Sequence, residues 1–547
     1  MRPFAWAGLL LLTAALTLPF LGKAFHIDDT FYLRVTQNIV DDPRDPYAGE
    51  IDWWHRPRPI WEGDSNPPLL NYALAPVLAH FGASEVALHA AMAPFVLAFV
   101  IGMWTLARRF TTAPGWTLAF AATSTGIVVS GNIMRDVPAA ALATAAIAAF
   151  VTGSDRSNRR WLATGSALIG LACLTKYSAL VLVPVMYLYA VLHGRFRQLA
   201  WAGVPALTIG LWCLHNQWIY GEWHLVAQLG RAFNRPGHGW QDNVAAIAMV
   251  VGSLVYLAPA VVWGAASRRD ATLLAGCTLA AIAAWALVDA YTDGGAGLQF
   301  QLWNVSGAVL LAGCAIHGAR HAMSLDRDAP KEDSRDAAFL LAWLVVPLVF
   351  SSLSVPFQAV RHFLPALPPL VLLAMRFIAP RAGTPLLATL LIAQTLVTAA
   401  VARVDAETAA SYRAFARDAR ARVHAAGIPA ESTIWFVGHW GWMHYAAEAG
   451  LRQLHLGGPM PARGDALIVP RYVDKGRVLP RLPALRARLA QVDEIAVPSA
   501  IPLRTVHPAG AGFYALFTRR GPDRPSRVPY RFERDAPLEI FEIWEVR

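Results

Sequence analysis

Of 547 residues, 56% are apolar and only 15% are charged, with a formal net charge of +10, against roughly 25% charged residues in soluble domains. That balance excludes a disordered chain and argues against an all-soluble enzyme. The arginines are spread over short turns and the tail rather than gathered in one aromatic-interleaved stripe, which speaks against nucleic acid and for membrane topology and anionic lipid. Cys173, Cys213, Cys277 and Cys314 all lie in apolar runs, so neither a disulfide framework nor a CxxC metal site is spelled out, and redox chemistry is not expected.

Uncharged runs near the length a bilayer core requires recur from the first residues to about residue 401, which predicts an α-helical polytopic membrane protein of about thirteen helices. Residues 4–22 follow a single Arg2, are long enough to span, and end at a poor cleavage site, GKAFH, so they read as a retained first helix. Basic turns come at Arg108 and Arg109; Arg156, Arg159 and Arg160; Arg195 and Arg197; Arg268 and Arg269; 318–336; and Arg376 to Arg381. Alternation from a cytoplasmic N-terminus places all of them on one side, the cytoplasmic one by the positive-inside bias. Segments 23–67, 131–136, around 175, 216–243, 291–301, 353–362 and the tail from about 402 then lie outside.

The first outer loop, Lys23 to Pro67, carries nine carboxylates between Asp28 and Asp64 together with Trp53, Trp54 and Trp61. A loop this long and polar is more than a connector. Asp28 and Asp29 in HIDDTFY fall just past the first helix, where water thins and a carboxylate can act as a base; the bland alternative is a solvated pair capping a helix. Tyr32, Val35 and Ile39 recur at helical spacing opposite Arg34, Thr36, Gln37 and Asn38, predicting an amphipathic interfacial helix. SNPPLLNYALAP closes the loop, with Asn66 as an expected helix cap, Pro67 in the first turn and a second interfacial helix through Phe81.

Further on, Lys176 and Arg361 interrupt apolar sequence on the outer side, where topology does not by default place a cation. Lys176 reads either as a ligand contact or as a snorkelling helix-end lysine. Arg361 reads either as a ligand contact or as a structural partner of Asp289 or Asp293. Arg135 and Asp136 are expected to neutralise one another at a helix start. The outer histidines His26, His55, His224 and His238 show no HxxxH or HExxH spacing, so a zinc site is not expected, while carboxylate binding of a Mg- or Mn-like ion stays open. From about 402, helical sequence to Ala425 gives way to short runs STIWFVG, DALIVP, EIAVPS, FYALFTR and EIFEIWEV, predicting a small extracytoplasmic α/β domain over 402–547. Gly438 and Gly441 in VGHWGW are turn glycines rather than a nucleotide loop.

HIDDTFY, NPPLLNY, MRDVP, LTKYSAL and RHFLPALPPL occur in this order with matching sidedness. Together they resemble the integral-membrane GT-C glycosyltransferases of the protein-mannosyltransferase and aminoarabinose-transferase-like branch. The resemblance covers about residues 1–401, which it marks as a GT-C transmembrane domain with the loop 23–82 on its outer face. It implies an inverting glycosyltransferase that moves a sugar, hexose or pentose, from a polyprenyl-phosphate donor to a lipid, glycan or protein acceptor at the outer face of a bacterial inner membrane. The first acid of the pair, Asp28, is implied as catalytic base and Asp29 as its partner or, with Asp28, as a divalent-metal ligand. Lys176, Arg361, His362 and Arg58 are the expected donor-phosphate cradle, and Tyr32, Asn66 and Tyr72 the expected substrate-loop residues. The aminoarabinose branch usually carries lysine where this chain has Asn66, which removes one phosphate contact; Arg56 and Arg58 are the nearest replacements. A transporter or flippase of lipid-linked sugars, and an oligosaccharide ligase or polymerase, are the rival functions.

Overall fold

The computed structural model describes residues 3–53, 55–234, 240–257, 297–323, 331–355, 358–474, 478–508, 511–516 and 528–547. It is mostly helical. Among the described residues six helices are long and apolar enough to cross a membrane: Glu85–Phe110, Asp136–Asp155, Gln301–Ala322, Lys331–Ser354, Val360–Ile378 and Thr384–Ala425. Shorter apolar helices cover Ala5–Phe20, Leu69–Phe81, Tyr177–Leu192 and Asn243–Leu254. Arg268, Arg269, Cys277, Asp289, Asp293 and His238 fall outside the described residues.

The helix Asp136–Asp155, DVPAAALATAAIAAFVTGSD, sits at the centre and is almost wholly buried. Its alanines let neighbours approach closely, the usual basis of helix association in lipid. A Cβ on Gly102 would stand 2.9 Å from the Ala145 nitrogen, and one on Gly165 would stand 2.8 Å from the Ala146 carbonyl oxygen. Helix Arg159–Thr175 folds back along it, so Asp136 and Lys176 meet at one end while Asp155 lies at the other. Twenty residues of helix separate these ends by about 30 Å.

Among the described residues, several of the basic turns gather at one end. Arg109 reaches Asp155 at 2.7 Å, Asp336 at 2.7 Å and Glu332 at 3.1 Å. Arg195 bonds Asp155 at 2.8 Å and Arg376 bonds Asp333 at 2.9 Å. At the other end, among the described residues, Asp28, Asp136, Lys176 and Arg361 come together.

In the first loop, helix Asp29–Asp41 buries Phe31, Leu33, Val35 and Ile39 and packs on helix Leu69–Phe81. The latter begins at Leu69, and Pro68 at its N-cap position makes no side-chain cap. Asn66 lies two residues before that position and does not cap it; its Oδ1 accepts the Tyr177 N–H instead.

The 42-residue helix Thr384–Ala425 runs past residue 402 without a break. A five-stranded mixed sheet follows, ordered Arg452–Gln453, Ile434–Phe436, Ala466–Pro470, Glu539–Val546, Leu489–Val497. The first two pairings are parallel and the last two antiparallel. Of FYALFTR, the described residues 513–516 do not join this sheet. Its Phe513 carbonyl accepts from the Val360 N–H at 3.2 Å, and its Leu516 N–H donates to the Gln358 carbonyl at 2.6 Å, so its backbone pairs with the apolar half instead. The cores are shared as well: Phe25, Val35 and Leu74 pack in one cluster with Tyr412, Phe436, Trp442 and Phe541.

Candidate active site

Ile27, buried, holds φ at +46°, a left-handed conformation that is a true outlier for a β-branched residue and costs on the order of 1–3 kcal/mol. The next two residues, the neighbouring acids, enter different surroundings. Asp29 is fully buried, and its Oδ2 accepts the His26 N–H at 2.8 Å. Burial pushes its carboxyl up to about 7, against the pull of that N–H and of Lys23. Asp28 keeps a quarter of its side chain exposed, with Oδ2 3.5 Å from Arg361 Nη2. Burial raises its carboxyl above the ordinary range; Arg361 and Lys176 oppose that rise and Asp136 adds to it.

Arg361 is the hinge of the cluster. Its Nε lies 3.8 Å from Asp136 Oδ2, and its Nη1 donates to the Tyr514 carbonyl at 3.0 Å. Lys176 Nζ pairs with Asp136 Oδ1. The result is an alternating row, Asp28, Arg361, Asp136, Lys176, with the last three lining a narrow cleft beside Ser178 and Pro365. Its two acids and two cations make it neutral. The long contacts to Arg361 exceed good hydrogen-bond distance, so its guanidinium is held loosely by its acids.

Each member is placed by an element end. Asp28 precedes helix Asp29–Asp41, Asp136 opens helix Asp136–Asp155, where the helix dipole favours a carboxylate, Lys176 ends helix Arg159–Thr175, and Arg361 rides the short turn Val360–Ala366. Asn66 Oδ1 accepts the Tyr177 N–H at 3.3 Å, so the expected substrate-loop residue steadies the turn carrying Lys176.

Several expectations need correction. Arg135 does not neutralise Asp136. It is fully buried and grips Asp64 with two bonds of 2.5 and 2.7 Å, takes Asn71 Oδ1 at 2.6 Å, and stacks over the Tyr32 ring at 4.6 Å. Asp136 is left for Lys176 and Arg361. Tyr32 thus supports Arg135, and Tyr72 Oη donates to the Pro43 carbonyl at 2.6 Å, tying down the loop. Arg58 stands exposed on the hairpin that pairs Ile51 with Arg58, and His362 Nδ1 accepts the Ala359 N–H at 3.3 Å, steadying its own turn. Arg361 pairs with Asp28 and Asp136 among the described residues.

Sequence reasoning missed the buried support beneath the row. Lys23 Nζ donates to Asp405 Oδ2 at 2.6 Å and to Asn132 Oδ1 at 2.5 Å. Tyr514 Oη donates to Asp405 Oδ2 at 2.7 Å and accepts from Asn132 Nδ2 at 3.0 Å, and Thr505 donates to Asp405 Oδ1 at 2.9 Å. Tyr514 thereby touches segments leading to Asp28, Asp136 and Arg361. An acid closing an apolar run was the visible signal for Asp405; nothing in FYALFTR distinguished Tyr514. VGHWGW also docks here. The Trp440 carbonyl accepts from Thr30 Oγ1 at 2.8 Å, and a Cβ on Gly441 would sit 1.8 Å from the Phe25 carbonyl oxygen, while Gly438 takes φ +98° as a turn glycine does.

Among the described residues no group of three or more His, Cys, Asp or Glu side chains gathers to hold a metal. Of the expected pair, Asp29 is closed off, and Asp28 faces a guanidinium. His224 serves structure: Nδ1 bonds the Tyr177 hydroxyl and Nε2 the Asp64 carbonyl, both at 3.0 Å.

Residues 65–220 match the family described as dolichyl-phosphate-mannose-protein mannosyltransferase. That segment is less than a third of the chain. It contains Asp136 and Lys176, whereas Asp28 and Arg361 lie on either side of it. No curated protein matches the sequence. Solved structures similar to this chain include the oligosaccharyltransferase AglB from Archaeoglobus fulgidus with an inhibitory peptide and a dolichol-phosphate, at TM-score 0.45 and 12% identity over 82% of this chain and 64% of that one. A second Archaeoglobus fulgidus oligosaccharyltransferase, tethered to an acceptor peptide, aligns at 0.47 and 13% over 83% of this chain and 64% of that one. ArnT from Cupriavidus metallidurans bound to undecaprenyl phosphate aligns at 0.39 and 14% over 89% and 94%. The chain thus spans under two thirds of the archaeal enzymes' length.

Proposed function

We propose that the chain is an inverting glycosyltransferase that takes a sugar from a polyprenyl-phosphate donor and passes it to a lipid, glycan or protein hydroxyl at the outer face of a bacterial-type inner membrane. The observation that carries this reading is the row in which Arg361 stands between Asp28 and Asp136 with Lys176 alongside. The family description of residues 65–220 names a dolichyl-phosphate-linked sugar and supports the donor class.

In this reading Asp28, the one acid of the first pair open to solvent, accepts the proton of the acceptor hydroxyl as its oxygen attacks the anomeric carbon. A carboxylate raised by burial is a better base than a solvated one. The bond from the anomeric carbon to the phosphate oxygen breaks on the opposite face, so configuration inverts. The departing polyprenyl phosphate gains a negative charge, which Arg361 and Lys176 meet in a dry setting where such contacts count for more. No strong acid is needed, because phosphate leaves as an anion. Asp136 holds the two cations in place until the donor arrives, and Asp29 buttresses the turn. No step here calls on a metal ion.

The test is transfer of radiolabelled hexose or pentose from polyprenyl phosphate by purified protein in detergent, wild type beside Asp28→Asn. Release of labelled product by wild type alone supports the reading. Movement of donor across sealed liposomes with no transfer overturns it in favour of a flippase.

A further inference from the structure

The far end of the central helix carries a feature the reaction does not use. Between helices Ala93–Phe110, Asp136–Asp155 and Arg159–Thr175 lies a cavity of about 710 Å³. Its wall is apolar, formed by Ile101, Leu106, Ala148 and Leu168, with Trp6 and Trp161 at its flanks. Both tryptophans are nearly half exposed, as rings seated at a membrane interface are. Alanines at 145, 148 and 149 line it without a large side chain, while Gly102 lets helix Ala93–Phe110 close onto the Ala145 backbone.

The charges at its mouth are unequal. Arg109 is committed, bonding Asp155, Asp336 and Glu332. Asp155 is committed in turn to Arg109, Arg195 and Tyr189. Arg108 and Arg156 line the same cavity, stand exposed, and make no ion pair among the described residues. Two uncompensated cations therefore crown an apolar slot walled in part by helix Asp136–Asp155, which is of membrane-spanning length.

We propose that this slot is a binding site for an anionic glycerophospholipid, its phosphate held by Arg108 and Arg156 and an acyl chain laid along Ile101, Ala148 and Leu168. A zwitterionic lipid would bring a second cation to a place that already has two in excess, so the charge balance selects a net negative headgroup. Polyprenyl phosphate shares the phosphate but belongs to the cleft about 30 Å away at the other end of helix Asp136–Asp155, and it is the competitor the test must separate.

The experiment is native mass spectrometry of the full-length protein, stripped of lipid and titrated with phosphatidylglycerol, phosphatidylcholine or undecaprenyl phosphate. Wild type is expected to take up one phosphatidylglycerol in preference to phosphatidylcholine. The double variant Arg108→Ala/Arg156→Ala should lose that preference by roughly 30-fold, the scale of two surface arginines facing anionic lipid. Ala98→Trp, which plugs the groove wall and leaves both arginines, should weaken uptake as well, separating the slot from a general surface charge effect. Equal uptake by wild type and both variants, equal uptake of the two phospholipids, or displacement of phosphatidylglycerol from the wild type by equimolar undecaprenyl phosphate would each overturn the proposal.

Discussion

The backbone carbonyl of Tyr514 accepts a 3.0 Å hydrogen bond from the Arg361 guanidinium, so a residue far along the tail orients a cation whose neighbours are the two acids of the cleft. The Tyr514 hydroxyl is itself anchored on Asp405 and Asn132. Tyr514→Phe keeps the ring and the carbonyl and removes only the anchor. Loss of a buried bond to a charged group costs about 1.5–3 kcal/mol. Expected outcomes are a lower unfolding temperature and a turnover number reduced roughly tenfold with donor KM little changed, read from initial rates across donor concentration.

Asp28→Asn should lower transfer by about 10²- to 10⁴-fold, the usual contribution of a general base. The base must be ionised, and burial raises the Asp28 carboxyl. The wild-type rate should therefore climb with pH along a limb that ends above the ordinary carboxylate range, and the residual rate of the variant should lack that limb. A pH–rate profile of kcat/KM checks both.

Asp136 is almost fully buried between Lys176 and Arg361. Asp136→Asn leaves the lysine unpaired and should destabilise the protein by about 3–5 kcal/mol, whereas Asp136→Asn with Lys176→Met removes both charges and should recover most of that loss. Activity should not return with stability. Denaturation and transfer assays run on the same preparations separate the two effects.

Gly441→Ala would drive a methyl into the Phe25 carbonyl, three residues before Asp28. Overpacking of this kind costs about 1–3 kcal/mol, and the displaced segment should depress turnover. Gly203→Ala is the control, since a Cβ there meets nothing within 4 Å. Thermal unfolding and turnover of both variants give the comparison.

Glu539 lies in the sheet, fully buried, accepting the N–H groups of Tyr472 and Ile540. Burial lifts its carboxyl to about 8 from an ordinary 4.5. A raised folded-state value means the stabilisation is complete below the unfolded value and fades as pH rises through the folded one. Stability should thus fall between about pH 4.5 and 8, and Glu539→Gln should flatten that decline. Unfolding temperatures collected from pH 5 to 9 decide it.

The apolar pattern and the arginine turns were legible because bilayer length and charge bias act on local sequence. Three of the four residues in the row at the site were legible. Asp28, Lys176 and Arg361 each break an apolar context and so announce themselves. Asp136 did not, because its neighbour Arg135 offers a nearer partner on paper, and only the folded loop brings Asp64 and Asn71 around that arginine. Asp29 reads from the sequence as the partner of Asp28; the fold closes it off and leaves Asp28 partly open. FYALFTR has the composition of a strand, but where its backbone bonds go depends on Gln358 and Val360, more than 150 residues earlier.

The helix Thr384–Ala425 runs 42 residues without a break, about 63 Å at 1.5 Å per residue, and its buried Asp405 is bolted to Lys23, Thr505 and Tyr514. A rod with no joint leaves nothing for the tail to swing on.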